Sequence, residues 1–142
     1  MYLLDTNVIS EQRKIGTGRA DRRVAEWSAN TITTLQFISV ITILELETGI
    51  LRMERRDATQ AAVLRGWLNR AVLPEFHQRI LPIDLKIVLR CADLHVPDPK
   101  PERDAFLAAT ALVHGMMMVT RNVADFAGTG VRVVNPWEPS QP

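Results

Sequence analysis

Five short apolar runs alternate with segments of helical pattern along this chain, and that alternation constrains its fold more than any other feature. The runs cover residues 2–4, 35–39, 79–83, 116–120 and 131–134. Strands separated by helices form β-α-β units, which build a parallel sheet with right-handed crossovers. Pro82 removes a ladder donor from the third run, so that run belongs at a sheet edge or ends at the proline. The expected fold class is α/β.

The helix signals are local. Asp21 caps a helix to about Asn30, and a helix carrying Glu45 and Glu47 follows Thr42 and runs through Gly49 to about Arg56. Asp57 and Gln60 have capping-box spacing for a helix over about 58–72, which Pro74 should end. Its apolar positions Ala61, Leu64, Leu68 and Ala71 predict a packed hairpin with the preceding helix. Asp84 starts a helix over 85–95, and Pro101 is placed as the first residue of one running to His114, with Gly115 as its C-terminal cap. The basic, glycine-bearing residues 13–19 are expected to be a mobile surface loop.

The first run stops at Asp5. In open α/β sheets, ligands bind at the carboxyl ends of the strands, near the point where strand order reverses. Asp5 is therefore a carboxylate delivered to a candidate site by the first strand. Three further acids belong at the same end: Glu45, one turn into the helix after the second strand; Asp104, in the opening turn of the helix before the fourth; and Asp125, just past the fourth, beyond Thr120 and Asn122. Asp104, Ala108 and Ala111 share one face, and the small side chains would let that helix lie close to the sheet. Glu47 should point roughly 200° away from Glu45 on a 3.6-residue helix, so Glu45 alone is assigned to the site. Glu102 is a candidate competing ligand.

Converging carboxylates repel one another unless a cation neutralises them. Oxygen-only ligands suit Mg²⁺ or Mn²⁺ rather than zinc, and His77, His95 and His114 lack zinc-ligand spacing. Two such ions about 4 Å apart can activate a water and steady the leaving oxygen of a phosphodiester, which points to a nuclease. By contrast, Asp21, Asp57 and Asp84 each precede a helix, and capping explains them fully.

Composition narrows the class. A chain of 142 residues, 46% hydrophobic and 23% charged, suits one soluble globular domain. The net charge of +1 gives no global basic excess, although Arg13, Lys14, Arg19, Arg22, Arg23, Arg52, Arg55 and Arg56 could hold an RNA backbone locally. The single cysteine, Cys91, excludes an intrachain disulfide, reads as a core residue and fits a reducing cytosol. The longest apolar stretches, 37–44 and 116–119, are too short to span a bilayer, and Asp5 interrupts any targeting segment.

At these residues the chain resembles PIN-domain ribonucleases, specifically VapC-like toxins of the FitB-type group. The resemblance is carried by Leu3-Leu-Asp-Thr-Asn-Val-Ile-Ser10, by Ile38-Ser-Val-Ile-Thr-Ile-Leu-Glu-Leu46 with Gly49, and by Asp104-Ala-Phe-Leu-Ala-Ala-Thr-Ala111. It continues in His114-Gly115, Val119-Thr-Arg-Asn122, Asp125-Phe126 and Asn135-Pro-Trp137. It implies a three-layer α/β/α sandwich around a five-stranded parallel sheet, with the domain over residues 1–135 and a tail over 136–142. It implies Mg²⁺- or Mn²⁺-dependent cleavage of RNA, with catalytic and metal-site roles at Asp5, Glu45, Asp104 and Asp125 and supporting roles at Thr6, Asn7, Thr120 and Asn122. It also implies a co-encoded VapB-like antitoxin whose tail fills the active-site groove, a toxin homodimer, and operator DNA bound through the antitoxin only.

Two rival readings exist. Haloacid-dehalogenase-type phosphatases also open on a strand followed by aspartate, but they need a second acid where this chain has Asn7. Receiver-type phosphoacceptors need a lysine after the fifth strand, and none follows Val134. A PIN-fold binding module with a dead site would lack one of the four acids, and all four are present.

Overall fold

The structure is a computed structural model in which residues 1–139 are described; the last three residues of the 136–142 tail lie outside the described residues. β1 (Tyr2–Leu4) is the central rung of the sheet. It pairs in parallel with β2 (Gln36–Ser39) on one side and β4 (Met117–Val119) on the other. β3 (Ile80–Leu81) pairs with β2, and β5 (Val133–Val134) with β4, giving the order β3-β2-β1-β4-β5. The chain steps outward from β1 to β3, then returns to the far side of β1. Strand order thus reverses between β1 and β4, and the crevice at their carboxyl ends is where this topology leaves room for a ligand.

Successive side chains of a strand face opposite sides, and β1 shows how two cores follow from that. Leu4 packs into one cluster with Val8, Ile38, Leu46, Ile50 and Leu68. Leu3 packs into the other with Leu107, Ala108, Ala111 and Met118. The first face is covered by α1 (Thr6–Gln12), α2 (Arg22–Asn30), α3 (Val40–Glu54) and α4 (Ala58–Trp67). A π turn over Leu68–Val72 carries α4 into a last helical turn, α5 (Leu73–Glu75). The second face is covered by α7 (Glu102–His114), and α6 (Leu85–Leu94) lies outside it, with Ile87 and Cys91 against Ala105 and Ala109. The alanines of α7 are buried on both its sheet side and its α6 side. Small side chains therefore seat this helix close to the sheet. Cys91 is a buried free thiol, as expected of a core residue.

The caps follow the sequence. Asp21 accepts from the N–H groups of Arg23 and Val24, Asp57 from Gln60, and Asp84 from Ile87. Gly115 closes α7 at φ 65°, a left-handed conformation that favours glycine.

Several boundaries differ from expectation, each for a local reason. Thr6 and Asn7, which read in the sequence as a turn before a short helix from Val8, are the first residues of α1, because Asp5 itself caps it. Residues 13–19 lie at the surface, as expected, and include a 3₁₀ turn over Ile15–Thr17 closed by Gly18 at φ 72°, with Lys14 paired to Glu11. Pro74 does not end the helix at residue 72. The π turn before it changes the hydrogen-bond spacing, and the proline sits inside α5, where its missing N–H is tolerated. Pro101 is the residue before α7 rather than its first. Ala71 is exposed rather than part of the hairpin seam. At the C-terminal end, Pro136 is buried and Trp137 packs against the core.

Candidate active site

Asp5 sits where β1 ends and α1 begins. It is buried, at 8% exposure, and both carboxylate oxygens are engaged. Oδ1 accepts from the Thr6 backbone N–H at 2.8 Å, and Oδ2 accepts from the Thr120 hydroxyl at 2.8 Å. The backbone N–H of Asp5 donates to the carbonyl of Val119, so the ladder between β1 and β4 fixes the position from which the carboxylate extends.

Thr120, the first residue past β4, is a hub. Besides donating to Asp5, its Oγ1 accepts from the Asn7 side-chain amide at 3.3 Å and from the Asn122 backbone N–H at 3.0 Å. Asn7 Oδ1 in turn accepts from the Arg121 N–H at 3.4 Å. Of the four residues expected to support the site, Asn7 and Thr120 lace the two strand ends together, while the backbone N–H groups of Thr6 and Asn122 bond within their own segments. Asn122 contributes its backbone N–H, a bond that does not depend on its side chain.

Glu45 reaches the same place from α3. Its Oε1 accepts from the Thr6 hydroxyl at 3.0 Å, and its Oε2 lies 4.0 Å from Nη1 of Arg103. α3 begins at Val40, so Glu45 stands one turn into the helix, as expected. Asp104 is half-buried in the opening turn of α7, and Asp125 is exposed in a 3₁₀ turn over Val123–Phe126. Glu47 is absent from this group: it pairs with both guanidinium nitrogens of Arg65 on α4.

The electrostatics record the convergence. Burial pushes the Asp5 carboxyl above its ordinary range; the bonds from Thr120 and Thr6 oppose this, and repulsion from Asp125 adds to it. Glu45 is also raised, first by burial and then by Asp5, against the lowering effects of Thr6 and Arg103. Asp104 is pushed up to about 6 by burial, then by repulsion from Asp125, Asp5 and Glu45 in turn. The element order sets all four acids at the carboxyl end of the sheet, and each of the other three adds to the rise at Asp104. Among the described residues, the only ion pair to any of them is the loose one from Arg103.

This donor set is all oxygen, net negative and partly desolvated, which fits a hard divalent cation. Among the described residues, no three His, Cys, Asp or Glu side chains already close on a single point.

The PIN-domain family profile matches residues 2–129. The chain belongs to the PIN-domain family. Among its relatives, VapC ribonuclease Y4jK of Sinorhizobium fredii is 37% identical, over 99% of this chain and 100% of the relative. Toxin FitB of Neisseria gonorrhoeae is 32% identical, over 96% and 99% respectively. Of the solved structures, FitAB bound to an IR36 DNA fragment superposes with a TM-score of 0.88 at 31% identity, covering 99% of each chain.

In this PIN domain the sequence reading missed two contacts. One is the Thr6 hydroxyl bond to Glu45, which joins α1 to α3. The other is the approach of Arg103 to Glu45: the sequence shows Arg103 only as the basic neighbour of Asp104, in the first turn of a helix, where the macrodipole disfavours a cation.

Proposed function

We infer that this chain is the ribonuclease toxin of a type II toxin–antitoxin pair, hydrolysing RNA phosphodiester bonds with Mg²⁺ or Mn²⁺. The observation that carries the reading is the group of four mutually repelling carboxylates at the β1/β4 switch point, in a chain whose full-length relatives are named as VapC ribonuclease and toxin.

Asp5, Glu45, Asp104 and Asp125 would hold the ion. When bound, such an ion lowers the pKa of its water and offsets charge developing on a phosphodiester. The chain's own residues do the rest. Thr120 and the Thr6 N–H fix both oxygens of Asp5, so its lone pairs present one orientation. The Thr6 hydroxyl holds one oxygen of Glu45 and leaves the other directed at the opening. Asn7 keeps the Thr120 hydroxyl aimed at Asp5 by occupying its acceptor side. Asp104 and Asp125, less buried, are free to turn toward an ion.

The partners follow from the same reading: RNA as substrate, a VapB-like antitoxin, a second copy of this chain, and operator DNA reached only through the antitoxin. Exposed apolar residues on two separate elements support protein partners: Val40, Leu44 and Leu51 on α3, and Leu85, Val88 and Leu89 on α6. No helix among the described residues is long and apolar enough to cross a membrane. The cytoplasmic reading rests on the sparing use of cysteine in the sequence.

Incubation of the purified chain with RNA tests the reading. Cleavage should require Mg²⁺ or Mn²⁺, stop with chelator and disappear in Asp5→Asn. An Asp5→Asn protein that cuts at the wild-type rate would overturn the site, and covalent phosphate on Asp5 would turn the chemistry toward a phosphatase.

A further inference from the structure

We propose that Arg103 is the site's internal counter-cation: it neutralises Glu45 when no metal ion is present, and on metal binding it turns outward to hold an RNA phosphate. The inference rests on the metal-dependent ribonuclease reading and adds a residue to it.

Three observations carry it. Arg103 faces Glu45 Oε2 at 4.0 Å, and no other cation among the described residues is within ion-pairing range of the four acids. The separation is longer than a hydrogen bond, so the contact is electrostatic and readily exchanged. The Arg103 side chain is 50% exposed at the rim while Glu45 is 28% exposed, so the guanidinium can leave without opening the core. Lastly, Arg103 occupies the first turn of α7, where a cation opposes the helix dipole; it does not serve the helix there.

The consequence is a competition. A divalent ion that takes Glu45 must displace the guanidinium, which is then freed at the mouth of the site. A planar, permanently charged guanidinium suits phosphate oxygens, so once released beside Glu45 it can hold the RNA backbone next to the site. Arg103 is a positioning residue for substrate and a gate on metal affinity.

Mn²⁺ affinity, measured on the full chain by electron paramagnetic resonance of the free ion, is the first readout. Arg103→Ala should bind Mn²⁺ about five-fold tighter than wild type. Steady-state cleavage of a short single-stranded RNA at saturating Mn²⁺ is the second: KM should rise about five- to tenfold in Arg103→Ala, with kcat falling less. Arg103→Lys should move both values back toward wild type, which a purely structural role for the side chain would not produce. Equal or weaker Mn²⁺ binding by Arg103→Ala, or an unchanged KM, overturns the proposal while leaving the ribonuclease reading intact. A wild-type chain that binds no Mn²⁺ overturns both.

Discussion

Glu45 and Glu47 lie two residues apart on α3 and occupy opposite electrostatic settings. Glu47 projects toward α4 and is gripped by Arg65, which holds its carboxyl below the ordinary range. Glu45 projects toward the strand ends, is half-buried beside Asp5 and Asp104, and is raised. One carboxylate is held by a two-point pair; the other meets only the loose approach of Arg103. The α3–α4 hairpin pairs Glu47, whereas Asp5, Asp104 and Asp125 have no ion pair among the described residues. The general lesson is that an acid's role is set by the direction its element gives it rather than by proximity in sequence.

The largest break in this comparison should come from neutralising the crevice. Asp5→Asn and Glu45→Gln should each lower metal-dependent RNA cleavage by roughly two orders of magnitude or more, on the scale of losing a positioned charge-stabilising group. Glu47→Gln should cleave at the wild-type rate. Its cost is to stability, and for a partly exposed pair that is below about 1 kcal/mol by denaturant unfolding. An inactive Glu47→Gln beside an active Glu45→Gln would invert the assignment.

Next in size is the hub. Thr120→Val keeps the shape and removes the hydroxyl, leaving buried Asp5 with one bond fewer. Unfolding in the absence of metal should show a loss of about 1–3 kcal/mol, and cleavage should drop about tenfold as Asp5 loses its fixed orientation. Full activity in Thr120→Val would reduce Thr120 to a strand-end residue.

The smallest effect sharpens the charge argument itself. Asp104 has its pKa raised from 3.8 to about 6, so in chelator the folded state holds this proton more tightly than the unfolded chain does. Stability from this group is therefore present at low pH and is lost as pH rises from about 4 to about 6. Asp104→Asn should be more stable than wild type at pH 7.5 without metal, by about 1 kcal/mol after allowing for partial exposure, and show little gain at pH 4. Thermal unfolding in chelator at the two pH values measures this, and added Mn²⁺ should reverse the order at pH 7.5.

Much of this arrangement is legible in the sequence because its signals are local. Each of Asp21, Asp57 and Asp84 caps a helix within three residues of itself, and Gly115 ends α7 by its own backbone. The alternation of runs and helices gives the parallel sheet, and helical spacing separates Glu45 from Glu47. Strand ends are less legible. Runs of four or five apolar residues become two-residue strands in β3 and β5, because an edge strand is only as long as its single neighbour allows. Pro74 misleads because a proline's effect depends on the hydrogen-bond spacing before it, and the π turn leaves no mark in composition. The Thr6–Glu45 bond and the Arg103–Glu45 pair join residues remote in sequence, so they appear only when the chain is folded.

Anomalous diffraction from a crystal of this chain soaked in Mn²⁺ tests the central claim most directly. The account predicts a peak in the crevice bounded by Asp5, Glu45, Asp104 and Asp125, with Glu47 still bonded to Arg65. A crevice with no peak at saturating Mn²⁺, or a peak held elsewhere while those four carboxylates stay unliganded, would contradict it.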